Sequence, residues 1–195
     1  MTVRDVNVVK SALFKRPDEA NKGTLGSLLG VCGSYGMEGA AVMSAKGALR
    51  TGIGLAKCAL PRSIYPIVAQ TILESVYYPL SENADGRISK VNVPFLVSES
   101  CKSSATLVGC GLGVCDDTLK IVFSLIENST TPLVLDADAL NCVAKQPEIL
   151  LRKKAPIIIT PHPGEMSRLT GLATPLVNAE RERVALDFAQ KYGVV

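Results

Sequence analysis

The chain has 195 residues, 47% hydrophobic and 20% charged, with a formal net charge of +3. That length suits one domain with a sizeable buried core, and the balance is that of an ordinary soluble globular protein. With no Trp, 5% aromatics and no basic block, there is little to stack on bases or coat phosphates, so nucleic acid is not an expected partner. No apolar run approaches the roughly 18 residues of a membrane span, so no membrane is expected. The N-terminus carries charges where a signal peptide needs its apolar segment, which predicts a cytoplasmic protein.

Taken in chain order, Thr2 and Asp5 have capping-box spacing for a short helix to about Phe14, ended by Pro17. A polar link precedes a first core strand at Ser27 to Cys32. Gly33, Gly36 and Gly39 then punctuate a turn, where glycine lets a ligand approach the main chain. A helix of small residues follows from Gly39 to Thr51, with Ala41, Ala45 and Ala48 on one face. Its N-terminus would aim N–H groups and a positive dipole end at the turn, where an anion could sit; the alternative is a bare tight turn. The spacing is not GxGxxG, so it is no dinucleotide fingerprint.

Leu55 to Leu60 reads as a strand stopped by Pro61. A short helix over Arg62 to Gln70 is predicted with Ile64, Ile67 and Val68 inward. Val76 to Leu80 reads as a strand and Asn83 to Gly86 as a turn. Pro94 leaves Ile88 to Ser100 ambiguous. Ala105 to Val108 is a strand running into Gly109-Cys110-Gly111-Leu112-Gly113, which could offer N–H groups to a phosphate or be a plain turn. Asp116 or Asp117 is expected to cap a helix to Asn128. Strands at Leu133 to Leu135 and Pro156 to Thr160 lead into Asp136-Ala137-Asp138-Ala139-Leu140-Asn141 and Pro161-His162-Pro163-Gly164-Glu165. A helix to Leu169 closes at Gly171. A last helix to Lys191 presents Val177, Val184, Ala185 and Phe188. Val194-Val195 read as the start of another strand.

Strand–helix alternation predicts a mostly parallel sheet covered on both faces. Four unusual loops each follow a strand's carboxyl end, so parallel strands would gather them on one edge, where open α/β sheets bind ligands. Asp136 and Asp138 could hold magnesium beside a phosphate, or Asp138 could only cap a helix. Glu165 could serve a metal or water network, or complement the dipole of a helix it opens. His162, the lone histidine, could be structural, but stiffened between prolines at a strand end it suits ligand contact. Lys22 could reach a phosphate or be an ordinary surface lysine. The cysteines (Cys32, Cys58, Cys101, Cys110, Cys115 and Cys142) include no CxxC, so buried reduced thiols are expected and zinc is not.

KGTLGSLLGVCGSYGMEGAAVMSAKGALRTGIGLAKCALP, VGCGLG, PLVLDADALN and IITPHPGEMSRLTG resemble, in order, four blocks of the ADP/ATP-dependent NAD(P)H-hydrate dehydratases. The resemblance implies a three-layer α/β/α ribokinase-like fold with its C-terminal part missing, a single incomplete domain over 1–195, and a homotetramer. It also implies repair of the S epimer of hydrated NADH or NADPH. A phosphoryl group passes from ADP or ATP, with Mg2+, to the ring hydroxyl, and phosphate is then expelled. Carried over by motif, Ala40, Gly111, Gly113 and His162 contact the hydrated cofactor. Asp136, Asp138, Asn141 and Glu165 shape the phosphate and magnesium region, with Asp136 and Glu165 as candidate metal ligands. The family's nucleotide-binding lysine–glycine segment and its aspartate-bearing glycine loop find no counterpart before Val195, so no catalytic base is present and this polypeptide alone is expected to be inactive or nearly so. A small-molecule kinase of the same fold and a non-catalytic truncated binding protein are the alternatives.

Overall fold

A computed structural model of the protein describes residues 18–21 and 23–195. The expected N-terminal helix and Lys22 lie outside the described residues. Six strands form one sheet: β1 (Ser27–Val31), β2 (Leu55–Pro61), β3 (Val76–Leu80), β4 (Ala105–Val108), β5 (Leu133–Leu135) and β6 (Ile157–Ile159). Their order is β3-β2-β1-β4-β5-β6, and each pairing between these neighbours is parallel. The chain steps outward from β1 to β3, then crosses back to put β4 on the other side of β1. The order therefore reverses between β1 and β4, and such a reversal opens a crevice at the strands' carboxyl ends.

Both sheet faces are covered, because apolar side chains alternate between two cores. Leu29, Val31, Ala59 and Val108 belong to one. Cys32, Cys58 and Leu60, with Leu107 and Cys110 packed beside them, belong to the other. Strands buried on both faces need this near-continuous apolar composition. The second core is roofed by α1 (Glu38–Arg50) and α2 (Tyr65–Thr71). Ala41 and Ala45, one turn apart, are buried in α1; their methyls let the helix lie close on the sheet. The first core is covered by α3 (Val93–Cys101), α4 (Asp116–Asn128) and α5 (Asp138–Val143), giving the expected α/β/α layering.

The structure corrects several local expectations. Ile67 is 52% exposed, whereas Ile64 and Val68 are buried. Ile64 and Val68 share a face at i, i+4, and Ile67 is turned about 100° away. The ambiguous stretch resolves into a 3-10 turn at Lys90–Asn92 followed by α3, with Pro94 in its first turn, where a missing N–H costs nothing. Neither Asp116 nor Asp117 caps α4. Extended Cys115 does, in a capping box with Thr118, whose Oγ1 accepts the Cys115 N–H at 2.8 Å; the two carboxylates fall in the first turn instead. After α6 (Pro163–Thr170), closed by Gly171 at φ 75°, the expected single last helix is two: α7 (Thr174–Ala179) and α8 (Arg181–Tyr192). Val177, Val184 and Phe188 are buried, but Ala185 is exposed. Val195 donates to Ile157 O at 3.0 Å and accepts from Ile159 N at 2.7 Å, the parallel pattern expected beside β6. No helix among the described residues is long and apolar enough to cross a membrane.

Candidate functional site

The four loops meet along the carboxyl edge and are bonded to one another. After β1, Gly33 N–H donates to Cys110 O at 2.8 Å, and buried Ser34 donates its hydroxyl to Gly111 O at 2.8 Å. After β4, Gly113 N–H donates to Asp138 Oδ2 at 2.8 Å, and the Cys110 thiol donates to Asp136 Oδ2 at 3.2 Å. Asp136 Oδ1 accepts from Thr160 Oγ1, after β6, at 2.8 Å. Asn141 closes the chain of contacts by accepting from Arg168 Nε at 2.8 Å and donating to Asp138 Oδ1 at 3.3 Å.

Close approach explains the glycines. A Cβ on Gly111, at φ 68°, would stand 2.7 Å from the Ala40 methyl. Ala40 N–H is already spent on Met37 O at 3.2 Å, so Ala40 presents its methyl, not its amide, to the loop after β4. The Gly36 N–H is held by Glu38 Oε1 at 3.0 Å. Gly113 has the Arg87 guanidinium across it, with Nε 2.5 Å from where its Cβ would lie, and Arg87 donates to Val114 O at 3.1 Å. This cation at the lip of the glycine loop had no sequence signal, because it arrives from the loop after β3, more than twenty residues upstream.

Ala137 sits between the two aspartates at φ 48°, ψ −114°, and is the one non-glycine residue with positive φ among the described residues. This backbone turns Asp136 toward Cys110 and Thr160 while Asp138 faces Gly113. Such strain typically costs about 1–3 kcal/mol and collects at functional sites. Ala137→Gly is expected to stabilise the fold by about 1 kcal/mol, less the flexibility glycine adds to the unfolded chain. A rise in the urea midpoint with an unchanged slope checks this.

The His162–Glu165 pair forms a capping box at the start of α6. His162 N–H donates to Glu165 Oε2 at 2.9 Å, and Gly164 N–H donates to His162 Nδ1 at 3.1 Å. With Nδ1 accepting, the bonding network assigns the neutral ring its proton on Nε2, which lies 3.2 Å from Glu165 Oε1. Glu165 is buried at 6% exposure, while 63% of the His162 side chain is open to solvent. Glu165 therefore holds the backbone and tautomer of an exposed imidazole. Glu165→Ala is expected to cost about 1–2 kcal/mol of stability, read by thermal melting, and to speed amide exchange at 162–165.

Two thiols share the rim's floor. Cys32 is buried and directed at Cys110; that contact, with burial, pushes its thiol well above the ordinary range. Cys110 moves the opposite way: the Cys32 thiol holds it down, against burial and Asp136. Cys142, remote and buried, is pushed up to about 11 by desolvation.

No group of three His, Cys, Asp or Glu side chains among the described residues is arranged to hold a metal. Asp136 and Asp138 each accept from protein donors yet keep further lone pairs. The two carboxylates face different neighbours, so the fit is to a magnesium ion held by one of them through its waters and shared with phosphates, which is how Mg2+ commonly binds. Beside the rim, Tyr35, Ser63, Glu82 and Gly86 line a pocket of ≈ 370 Å³. β1 and β6 stand three strand spacings apart, roughly 14 Å.

The family described as NAD(P)H-hydrate dehydratase matches residues 28–195. The chain belongs to the NAD(P)H-hydrate dehydratase family. The bifunctional NAD(P)H-hydrate repair enzyme Nnr of Thermofilum pendens is 38% identical over 177 residues, which cover 91% of this chain and 34% of that one. The ADP-dependent (S)-NAD(P)H-hydrate dehydratase of Neisseria meningitidis is 32% identical over 173 residues, 87% of this chain and 54% of that protein. Among solved structures, the ADP/ATP-dependent NAD(P)H-hydrate dehydratase of Bacillus subtilis, co-crystallized with ATP/Mg2+, superposes with a TM-score of 0.78 at 27% identity, covering 97% of this chain and 63% of that one. The chain thus spans about a third of the bifunctional family members and just over half of the Neisseria dehydratase.

Proposed function

We propose that this chain forms the hydrated-cofactor side of an ADP- or ATP-dependent (S)-NAD(P)H-hydrate dehydratase, a hydro-lyase that restores NADH or NADPH, within a single domain. The observation that carries the reading is the bonded rim: loops after β1, β4, β5 and β6 tied together at the reversal of strand order, all within the residues the family match covers. In this reading Ala40, Gly111 and Gly113, packed together with Arg87 across Gly113, form a close-fitting wall for the hydrated nicotinamide. The exposed ring of His162, held in place by Glu165 and Gly164, packs against the substrate. Asp136, Asp138 and Asn141 shape the phosphate-facing region, where one of the two carboxylates holds a magnesium ion through its waters. Bound there, ADP or ATP with Mg2+ would supply the phosphoryl group that makes the ring hydroxyl a leaving group. The residues of this chain supply position and fixed charge, which dominate such transfers.

By the same reading the protein works in the cytoplasm as a homotetramer. Met43, Ile67 and Leu73, 71%, 52% and 83% exposed on the α1–α2 side, supply apolar surface for association, and sedimentation tests it. Calorimetry of the 195-residue protein with the S epimer of hydrated NADH tests the main reading. Saturable binding that favours the S over the R epimer is expected. Absence of binding, with ATP-driven phosphorylation of a small alcohol instead, would replace the reading with that of a small-molecule kinase.

A further inference from the structure

Of the six cysteines, all free thiols, two stand together where the strand order reverses. Cys32 follows β1 and Cys110 follows β4. Gly33 N–H donates to Cys110 O at 2.8 Å. The ladder proper ends with Val31 beside Val108; just past it this bond joins the two loops, and the Cys32 side chain lies in hydrogen-bond contact with that of Cys110. Neighbouring strands run roughly 4.8 Å apart, inside the Cα window of about 4.4–6.8 Å for a disulfide. Both side chains point to the same face, because both pack in the α1–α2 core. Their exposure differs: Cys32 is 3% exposed, whereas Cys110 is half-buried and reaches the rim, where it donates to Asp136.

We infer that Cys32 and Cys110 form a peroxide-reactive dithiol, with Cys110 as the thiol that attacks the peroxide and Cys32 as its resolving partner. Cys110 sulfur attacks the O–O bond of a hydroperoxide. An S–O bond forms, the O–O bond breaks, and water leaves (or an alcohol, from an organic peroxide) with Cys110 as a sulfenic acid. Cys32 sulfur then attacks the Cys110 sulfur. The S–S bond forms, the S–O bond breaks, and the departing hydroxide takes the Cys32 proton and leaves as water. Two thiols lose two electrons and two protons, and one hydrogen peroxide becomes two waters. The crosslink removes the thiol hydrogen that Asp136 accepts and staples the loop after β1 to the loop after β4. It therefore acts on the rim without using any group assigned there to substrate contact.

Peptide mapping of the reduced wild-type protein after stoichiometric hydrogen peroxide, digested with trypsin without reductant, tests the inference. Trypsin places Cys32 in 23–46, Cys110 with Cys115 in 103–120, and Cys58 in a separate peptide. The expected product is 23–46 joined to 103–120 with loss of two hydrogens. Fragment ions should assign the bond to Cys110, and the free-thiol titre should fall from six to four. In Cys32→Ser, dimedone should trap a sulfenic acid on Cys110. A bond from Cys32 to Cys58, a bond through Cys115, or peroxide consumption at Cys101 with Cys32 and Cys110 still free would overturn it. The wild-type map decides the matter even if the variant fails to fold.

Discussion

Gly109→Ala should cost the fold about 4 kcal/mol or more, the largest single-residue effect expected in this molecule. Gly109 lies at φ 127°, and an added Cβ would stand 1.8 Å from the Asp136 carbonyl oxygen and 2.9 Å from Ala139 N. Neither neighbour is free to yield. Asp136 N–H is bonded to Val108 O at 3.0 Å, and Ala139 N–H to Asp136 O at 3.1 Å. The forbidden backbone contributes about 1–3 kcal/mol, and overpacking against main chain adds at least a similar amount. With total stability typically about 5–15 kcal/mol, the variant should melt far below wild type or fail to accumulate folded. Gly171→Ala is the matched control: its φ is also positive, at 75°, but nothing lies within 4 Å of the added Cβ. It should lose only the conformational part, about 1 kcal/mol. Equal melting of Gly109→Ala and wild type would mean that the loops after β4 and β5 are not packed as described.

The second large effect is at Asp138. Its two oxygens take Gly113 N–H at 2.8 Å and Asn141 Nδ2 at 3.3 Å, so one carboxylate fixes both the glycine loop and the start of α5. Asp138→Ala leaves the Gly113 amide without its acceptor and should cost about 1–3 kcal/mol of stability. Because the loop it releases forms the wall proposed for the nicotinamide, affinity for hydrated NADH should fall at least ~10-fold, about 1.4 kcal/mol. Asp138→Asn keeps an acceptor oxygen and should fall between wild type and alanine in both measurements. An Asp138→Ala protein that folds and binds hydrated NADH with unchanged affinity would remove this residue from the site.

Much of the architecture is legible in the residue order. Short apolar runs bounded by Gly or Pro, alternating with helical stretches, give the parallel sheet, and each of its six strands is predicted to within a residue or two, whereas at Val194-Val195 no strand forms and Val195 only bonds alongside β6. The placement of the four loops at strand carboxyl ends follows from that alternation alone. What escapes the sequence depends on contacts between distant segments or on exact helix starts. Ile67 and Ala185 have apolar side chains that suit burial, but one residue of helix phase turns each outward. The cap of α4 falls on Cys115, because the extended backbone there, φ −155° and ψ 178°, precedes both aspartates that propensity favours. Arg87 over Gly113 is a long-range contact with no local pattern. Nothing in the pattern Asp-Ala-Asp announces that its alanine would take a glycine-like conformation; the contacts of both flanking carboxylates impose it. At the rim the sequence names the residues, and the structure adds which of their polar groups are already spent.

The account turns on a single rim that acts as one binding surface, and amide hydrogen exchange with and without the S epimer of hydrated NADH tests this most directly. Protection should rise together at 33–41, 109–114, 136–141 and 160–165, with no change in the cleft of ≈ 430 Å³ beside Leu172, Val184 and Phe188. Protection confined to one of these loops, or appearing only in that distant cleft, would contradict it.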